Sequence, residues 1–395
     1  MQRETLLVRA LLFVVMIFLA IVIGAAVPAC AQIGKSVPIP ANSDADRALT
    51  VINGTSDPAQ KLALIDKFAA EQGQGDMAIV ADDLYVNYYI AAKNYDKAFE
   101  YGDKLFAVDP DNLANGVNMV RAAQEKGDTE KMFSYGDKVA GILQRYKALP
   151  PPEGKNEESW ANQKKQTLES ARDNITYAQQ LLFNGAYRTP DAAKRAGLLA
   201  RFAQMFPDSP YADQALGVAA ASYQQAQNGP KMLEVANALL GKDPNNVGML
   251  ILRADYYAEK GEQLDKAEAD AKKAMSVLES AKKPDGVSDE QWQQQTMLQK
   301  GLALSDLGQI NLQKKENAQA VENLRTAAPM LKSDANSYAR NQYRLGFALL
   351  NLKKVPEAKA AFTEAASVNS PYKGPAQEKL KGLGSTHTAV ARPKS

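Results

Sequence analysis

The chain predicts an all-α fold made of stacked helix-turn-helix repeats, on three observations. Its 395 residues favour Ala, Gln, Lys, Leu, Asp and Glu, and no stretch alternates apolar and polar with period two. The segments "EYGDKLFA" (100–107) and "SYGDKVAG" (134–141) place Tyr, Gly, Asp and Lys at a spacing of 34 residues. Longer matches recur further apart: "DPDN" at 109 and "EKG" at 125 return as "DPNN" at 243 and "EKG" at 259, and "IDKFAA" at 65 pairs with "LARFAQ" at 199, each offset by 134. Two copies of a four-unit block followed by a shorter third account for all of these together.

Taken in order, the chain opens on "MQRETLLVRALLFVVMIFLAIVIGAAVPACAQ", with Arg3 and Arg9 ahead of an apolar run and small residues at its end. That pattern is a secretory signal, 1–31, with cleavage after Ala31. Two other fates stay open: the run could be retained as a single membrane anchor, or Cys30 could be lipidated. Residues 32–57 read as a linker leading into the array. Repeat units are expected near 45–78, 79–112, 113–146, 176–212, 213–246, 247–281, 301–334 and 339–372. They form an array over 58–383 of about seven to eight repeats, with 384–395 as a disordered tail.

Two loop insertions interrupt the 34-residue rhythm, near 149–160 and 282–292. They carry the only tryptophans, Trp160 in "PPEGKNEESW" and Trp292 in "KPDGVSDEQW", offset by 132. Asn156 and Ser288 are placed to cap the helix that follows each. Both tryptophans are expected in lengthened loops, tucked against the next helix and offering candidate partner contacts.

The skeleton of small and large residues resembles the tetratricopeptide repeat family. It runs Leu307, Gly308, Ala320 and Leu324 in one unit, and Leu345, Gly346, Ala358 and Phe362 in another. The resemblance implies a right-handed solenoid in which Gly and Ala at the eighth and twentieth positions let paired helices approach. Tyr89, Tyr223, Leu324 and Phe362 would then fill the space between units. Met132 and Met232 stand where the twentieth residue should be small, which implies looser packing there. The segment "ARFAQMFPDSPYADQA" (200–215) separately resembles turns of bacterial cell-envelope repeat proteins.

Function is narrowed mainly by exclusion. The single histidine, His387, lies in the tail, so a nucleophile–histidine pair or a His/Cys zinc site is not expected. No phosphate-binding glycine motif appears, and no cofactor is implied. Net charge is +2, falling to +1 if Arg3, Arg9 and Glu4 leave with the signal, which argues against a nucleic-acid partner. The 34-residue period, the signal segment and the lack of catalytic groups together lead to the expectation of a non-enzymatic, exported scaffold that binds protein or peptide partners in the periplasm or envelope. It would meet a membrane only through a retained N-terminal segment or a lipidated Cys30.

First helices of such repeats line a concave face, which makes Asp83, Asn87, Asn118, Arg121, Asp255 and Gln309 the candidate contacts. Asp83 precedes Asn87 where a carboxylate-gripping repeat would carry Lys, so that specialisation is not expected. Tyr85 and Tyr89 fall on packing positions, leaving Tyr88 exposed. Two alternatives remain at this point: a subunit of an envelope-assembly or secretion complex held at a membrane, and a carbohydrate-processing subunit working through paired carboxylates 5–10 Å apart.

Overall fold

The protein is seen here as a computed structural model that describes residues 33–385. The expected signal segment, 1–31, and His387 with residues 386–395 of the expected tail lie outside the described residues, while Gly384 and Ser385 end a helix. Among the described residues there are eighteen helices and no strand. The chain divides into two compact units: residues up to Ala122 with Lys138–Ile175, and Ala123–Asp137 with residues from Thr176 on.

The first unit holds α1 (Asp44–Gly54), α2 (Pro58–Gln72), α3 (Met77–Ala91), α4 (Tyr95–Val108) and α7 (Glu157–Ser170). Helices α5 (Leu113–Lys126) and α6 (Thr129–Ala148) each contribute residues to both units. The second unit continues with α8 (Arg172–Tyr187), whose residues up to Ile175 belong to the first unit, and with α9 (Ala192–Met205), α10 (Ala212–Gln225), α11 (Gly229–Lys242), α12 (Val247–Lys260) and α13 (Leu264–Ser280). It ends with α14 (Asp289–Gln313), α15 (Asn317–Met330), α16 (Ala335–Asn351), α17 (Val355–Ser367) and α18 (Lys373–Ser385).

From α9 onward each helix packs on its chain neighbour, and the first helices of successive pairs also touch, α10 on α12, α12 on α14 and α14 on α16. This is the stacking of helix pairs that the repeat skeleton implies.

One turn chemistry recurs through the pairs. A residue in the left-handed conformation follows the first helix, at Lys93, Gln227, Lys315 and Lys353 (φ 56–64°) and at Gly127 and Gly261. The next residue's N–H then donates to the carbonyl five residues back: Asn94 to Tyr89 at 2.9 Å, Asn228 to Tyr223 at 2.8 Å, Glu316 to Asn311 at 2.8 Å and Lys354 to Leu349 at 2.9 Å. This closes the exposed carbonyls of the helix end and reverses the chain within three residues. Asn94 and Asn228 also cap the second helix, each accepting from the N–H three residues on.

These caps show the 134-residue duplication in the geometry. Asp57 and Asp191 cap α2 and α9, Asn112 and Asn246 accept from the N–H three residues on, and Phe68 and Phe202 are both buried. At the 132-residue offset, Gly154 and Gly286 share φ of 81° and 80°, and Asn156 and Ser288 cap α7 and α14.

Those two caps correct the expectation of tryptophan-bearing loops. Asn156 and Ser288 start helices four residues ahead of the rings, so Trp160 and Trp292 both lie in a first helical turn. Trp160 is buried, donates from Nε1 to the Leu149 carbonyl at 2.9 Å and meets Tyr146 edge-on, which makes it a staple across the 149–156 turn. Trp292 is half-buried on a helix of 25 residues, whereas its counterpart α7 ends after 14 at Ser170. The stretch 32–57 carries α1 and, ahead of it, an extended lead-in whose Lys35 N–H donates to Asp109 at 2.9 Å.

The small positions do pack closely, but against different partners from those expected. A Cβ on Gly308 would lie 2.4 Å from Leu324, and one on Gly346 would lie 2.6 Å from Phe362. Leu324 and Phe362 therefore fill the gap within their own pair rather than only between pairs. Met132 and Met232 are fully buried, and Met132 fits because Gly185 has no side chain where its methyl group sits.

Candidate functional site

The second unit has a groove of about 300 Å³ built by the first helices of consecutive pairs. Glu259 comes from α12, Gln309, Leu312 and Gln313 from α14, and Arg340, Tyr343, Arg344, Phe347 and Asn351 from α16, with Tyr372 ahead of α18. Spacings of three and four residues put these side chains on one face of each helix. Tyr343 meets Phe347 edge-on at 5.0 Å and Tyr372 at 5.6 Å, giving the groove an aromatic wall.

Its floor is an ionic network that joins four first helices. Asp255 on α12 accepts from Gln224 on α10 at 2.8 Å, and from Arg340 at 2.8 Å and Arg344 at 3.0 Å on α16. Arg344 also reaches the Ser305 carbonyl and hydroxyl at 3.2 and 3.0 Å, Asp306 on α14 at 3.5 Å, and Glu259 on the rim. Exposure is 4% for Asp255 and Arg344 and 0% for Asp306.

The two carboxyl groups take opposite protonation states. Burial pushes Asp255 up, but the Arg340 and Arg344 guanidiniums and the hydrogen bonds it accepts outweigh this and hold it well below the usual carboxylate range. For Asp306, burial and then the Asp255 charge push the carboxyl well above that range, against the pull of the arginines. These opposite directions mean that the pair holds its negative charge on Asp255 in preference to Asp306. The buried set therefore holds two guanidinium charges over one carboxylate charge. Such a pair is enclosed by its own partners and presents no open face for acid–base work on a sugar.

The sequence candidates fall out unevenly. Gln309 lines the groove. Asp255 is corrected: it is the buried hub of the network rather than an exposed contact, because two arginines and an amide converge on it. Asp83 and Asn87 sit one turn apart on α3, where Asn87 Nδ2 donates to the Asp83 carboxylate at 2.9 Å. Burial raises the half-buried Asp83 to about 6, against that hydrogen bond. Asn118 and Arg121 are half-buried on α5. In the first unit Tyr85 is buried, stacks on Tyr101 at 4.1 Å and donates to Asp66, while Tyr88 is half-buried like Tyr89 rather than exposed.

Sequence reasoning missed Arg340, Arg344, Glu259 and Asp306. A signal was present: Asp255 and Glu259 are four apart on one first helix, Arg340 and Arg344 four apart on another, so each pair shares a face. Among the described residues, no group of three or more His, Cys, Asp or Glu is placed to hold a metal ion, and no helix is long and apolar enough to cross a membrane.

No protein-family model matches the sequence, and none of the curated proteins matches it. Solved structures similar to it include the APC/C hetero-tetramer Cut9–Hcn1, with 12% identity and a TM-score of 0.41 over 86% of this chain and 62% of that one. Yeast Tom70 matches with 11% identity and a TM-score of 0.35 over 91% of this chain and 68% of that one. NprR in complex with its cognate peptide NprX matches with 15% identity and a TM-score of 0.30, over 89% and 85%. The chain thus spans less than two thirds of the Cut9–Hcn1 chain it matches.

Proposed function

We propose that the protein is a non-enzymatic interaction scaffold whose α12–α14–α16 groove takes an extended segment of a partner protein. The observation that carries this reading is a groove with an aromatic wall and polar side chains on one face of three stacked helices, the arrangement that suits a peptide's apolar side chains and backbone together. The buried network beneath it fixes the three helices in register, so the groove is formed before a partner arrives.

We place this activity in the bacterial cell envelope. The charged start, apolar run and small-residue exit of residues 3–31 support export, and the "FPDSPY" turn at 206–211 supports an envelope setting. A soluble periplasmic scaffold and a membrane-held subunit of an assembly or secretion complex differ only in the fate of that N-terminal segment, which membrane fractionation of the full chain separates.

A photo-crosslinking amino acid at Gln309 tests the groove in cells, with Lys272 on the exposed side of α13 as the control position. The expected result is one discrete adduct with an envelope protein from position 309 and none from 272. Identical adducts from both positions, or adducts only with cytosolic proteins, would remove the reading.

A further inference from the structure

We infer that the groove recognises an acidic side chain of the partner segment, seated on Arg340 and in competition with the chain's own Glu259. The inference rests on the groove reading above and adds the chemistry of the residue that the groove selects.

Three observations converge on it. Arg340 gives Nη1 to Asp255 at 2.8 Å, and among the described residues its Nε and Nη2 have no protein acceptor, while its side chain keeps 19% exposure toward the groove. Arg344 is 4% exposed, and its Nε is buried without any hydrogen-bond partner. The guanidinium open to a partner is therefore that of Arg340.

The charges leave the same opening. Asp255 alone faces two guanidiniums, and Asp306 carries a proton, so the buried set holds one positive charge in excess. Glu259 now offsets it from the rim, through Arg344, with its side chain 46% exposed. A half-exposed carboxylate in a single ion pair is held weakly against a competing acid. An incoming carboxylate can use the fork of Arg340 in the two-point geometry that guanidinium and carboxylate share. A neighbouring apolar residue of the same segment then meets Tyr343 and Phe347. Lys379 on α18 lies 4.9 Å from the Phe347 ring and adds no acid to repel the segment. Glu378, beside Tyr343, is the one acidic neighbour on that helix that the segment must pass.

The test uses the purified chain and three fluorescein-labelled pentapeptides: Ala-Phe-Glu-Leu-Ala with an amidated end, the same with Gln for Glu, and the Gln form with a free carboxyl terminus. Anisotropy titrations give affinities, and the arginine Nε–H resonances report where the acid sits. The Glu peptide should bind at least about tenfold more tightly than either Gln peptide, the effect of one charge-assisted hydrogen-bonded pair. Glu259→Gln should tighten the Glu peptide and leave the Gln forms unchanged. Arg340→Gln should bring the three affinities together, and Arg340→Lys should keep only part of the preference.

Equal binding of the Glu and amidated Gln peptides would overturn the acidic-residue inference and leave the groove reading standing. Tight binding of the free-terminus Gln peptide would overturn it in favour of a chain end. An unchanged Glu affinity in Glu259→Gln, which removes the rim carboxylate from Arg344 and keeps Asp255 beneath it, would also overturn it. If no peptide binds, the acid inference falls while an adduct at position 309 persists, and both readings fall if that adduct is absent too.

Discussion

At the scale of the residue, Asp255 and Asp306 are the same side chain in opposite roles, and the difference lies in which charges each one faces. Replacing Asp306 by Asn keeps a neutral, hydrogen-bonding group in its place, and the expected stability change at pH 7 is within about 1 kcal/mol. Asp255→Asn leaves two buried guanidiniums without their carboxylate, and the expected loss is about 3–5 kcal/mol. The signs with pH also differ. A raised folded-state value means that the stabilising contribution of Asp306 is complete below its unfolded-state value and is lost as pH rises through the folded one. A lowered value means that the contribution of Asp255 is present above its unfolded-state value and is lost as pH falls through the folded one. Urea unfolding over a pH series should therefore show that Asp306→Asn removes a decline on the alkaline side. An unchanged pH profile in that variant would refute the placement of the proton.

At the scale of the element, the helix pairs depend on glycines that face large side chains. Gly346 lies where a Cβ would come 2.6 Å from Phe362 Cε1, so Gly346→Ala should cost about 1–3 kcal/mol by overpacking. Phe362→Leu in the same chain should return part of that loss, and a double-mutant cycle in chemical denaturation measures the coupling. Additive costs would mean that the contact is not what limits the approach of α16 and α17. Much at this scale was legible in the sequence. The all-helical class was, and Asn156 and Ser288 do cap helices. The partner of each glycine was not legible, because spacing along one helix does not say which side chain of the other helix fills the gap.

At the largest scale, the helix pairs of the second unit lean each on its neighbours. The last pair is covered by α18, whose buried Ala376 and half-buried Leu380 and Leu383 join Phe362 and Leu349 in one apolar cluster. Deleting residues 373–385 uncovers that cluster. Hydrogen exchange should then accelerate in α16 and α17 and stay unchanged in α10 and α11. Uniform acceleration across these helices would show that this unit unfolds as one block rather than pair by pair.

The sequence by itself determined the helical class, the 34-residue rhythm and its duplication, because helix propensity, small residues and caps act over a few neighbouring positions. It also placed Gln309 on a first helix, where the groove lies. Only the tertiary structure decided that Asp255 is a buried hub and Arg340 the open donor. Those roles depend on which charges meet across α10, α12, α14 and α16, on residues up to 120 positions apart, from Gln224 to Arg344. Desolvation acts on that assembled set, and it turns two ordinary acids and two ordinary bases into a fixed floor with one charge left to satisfy.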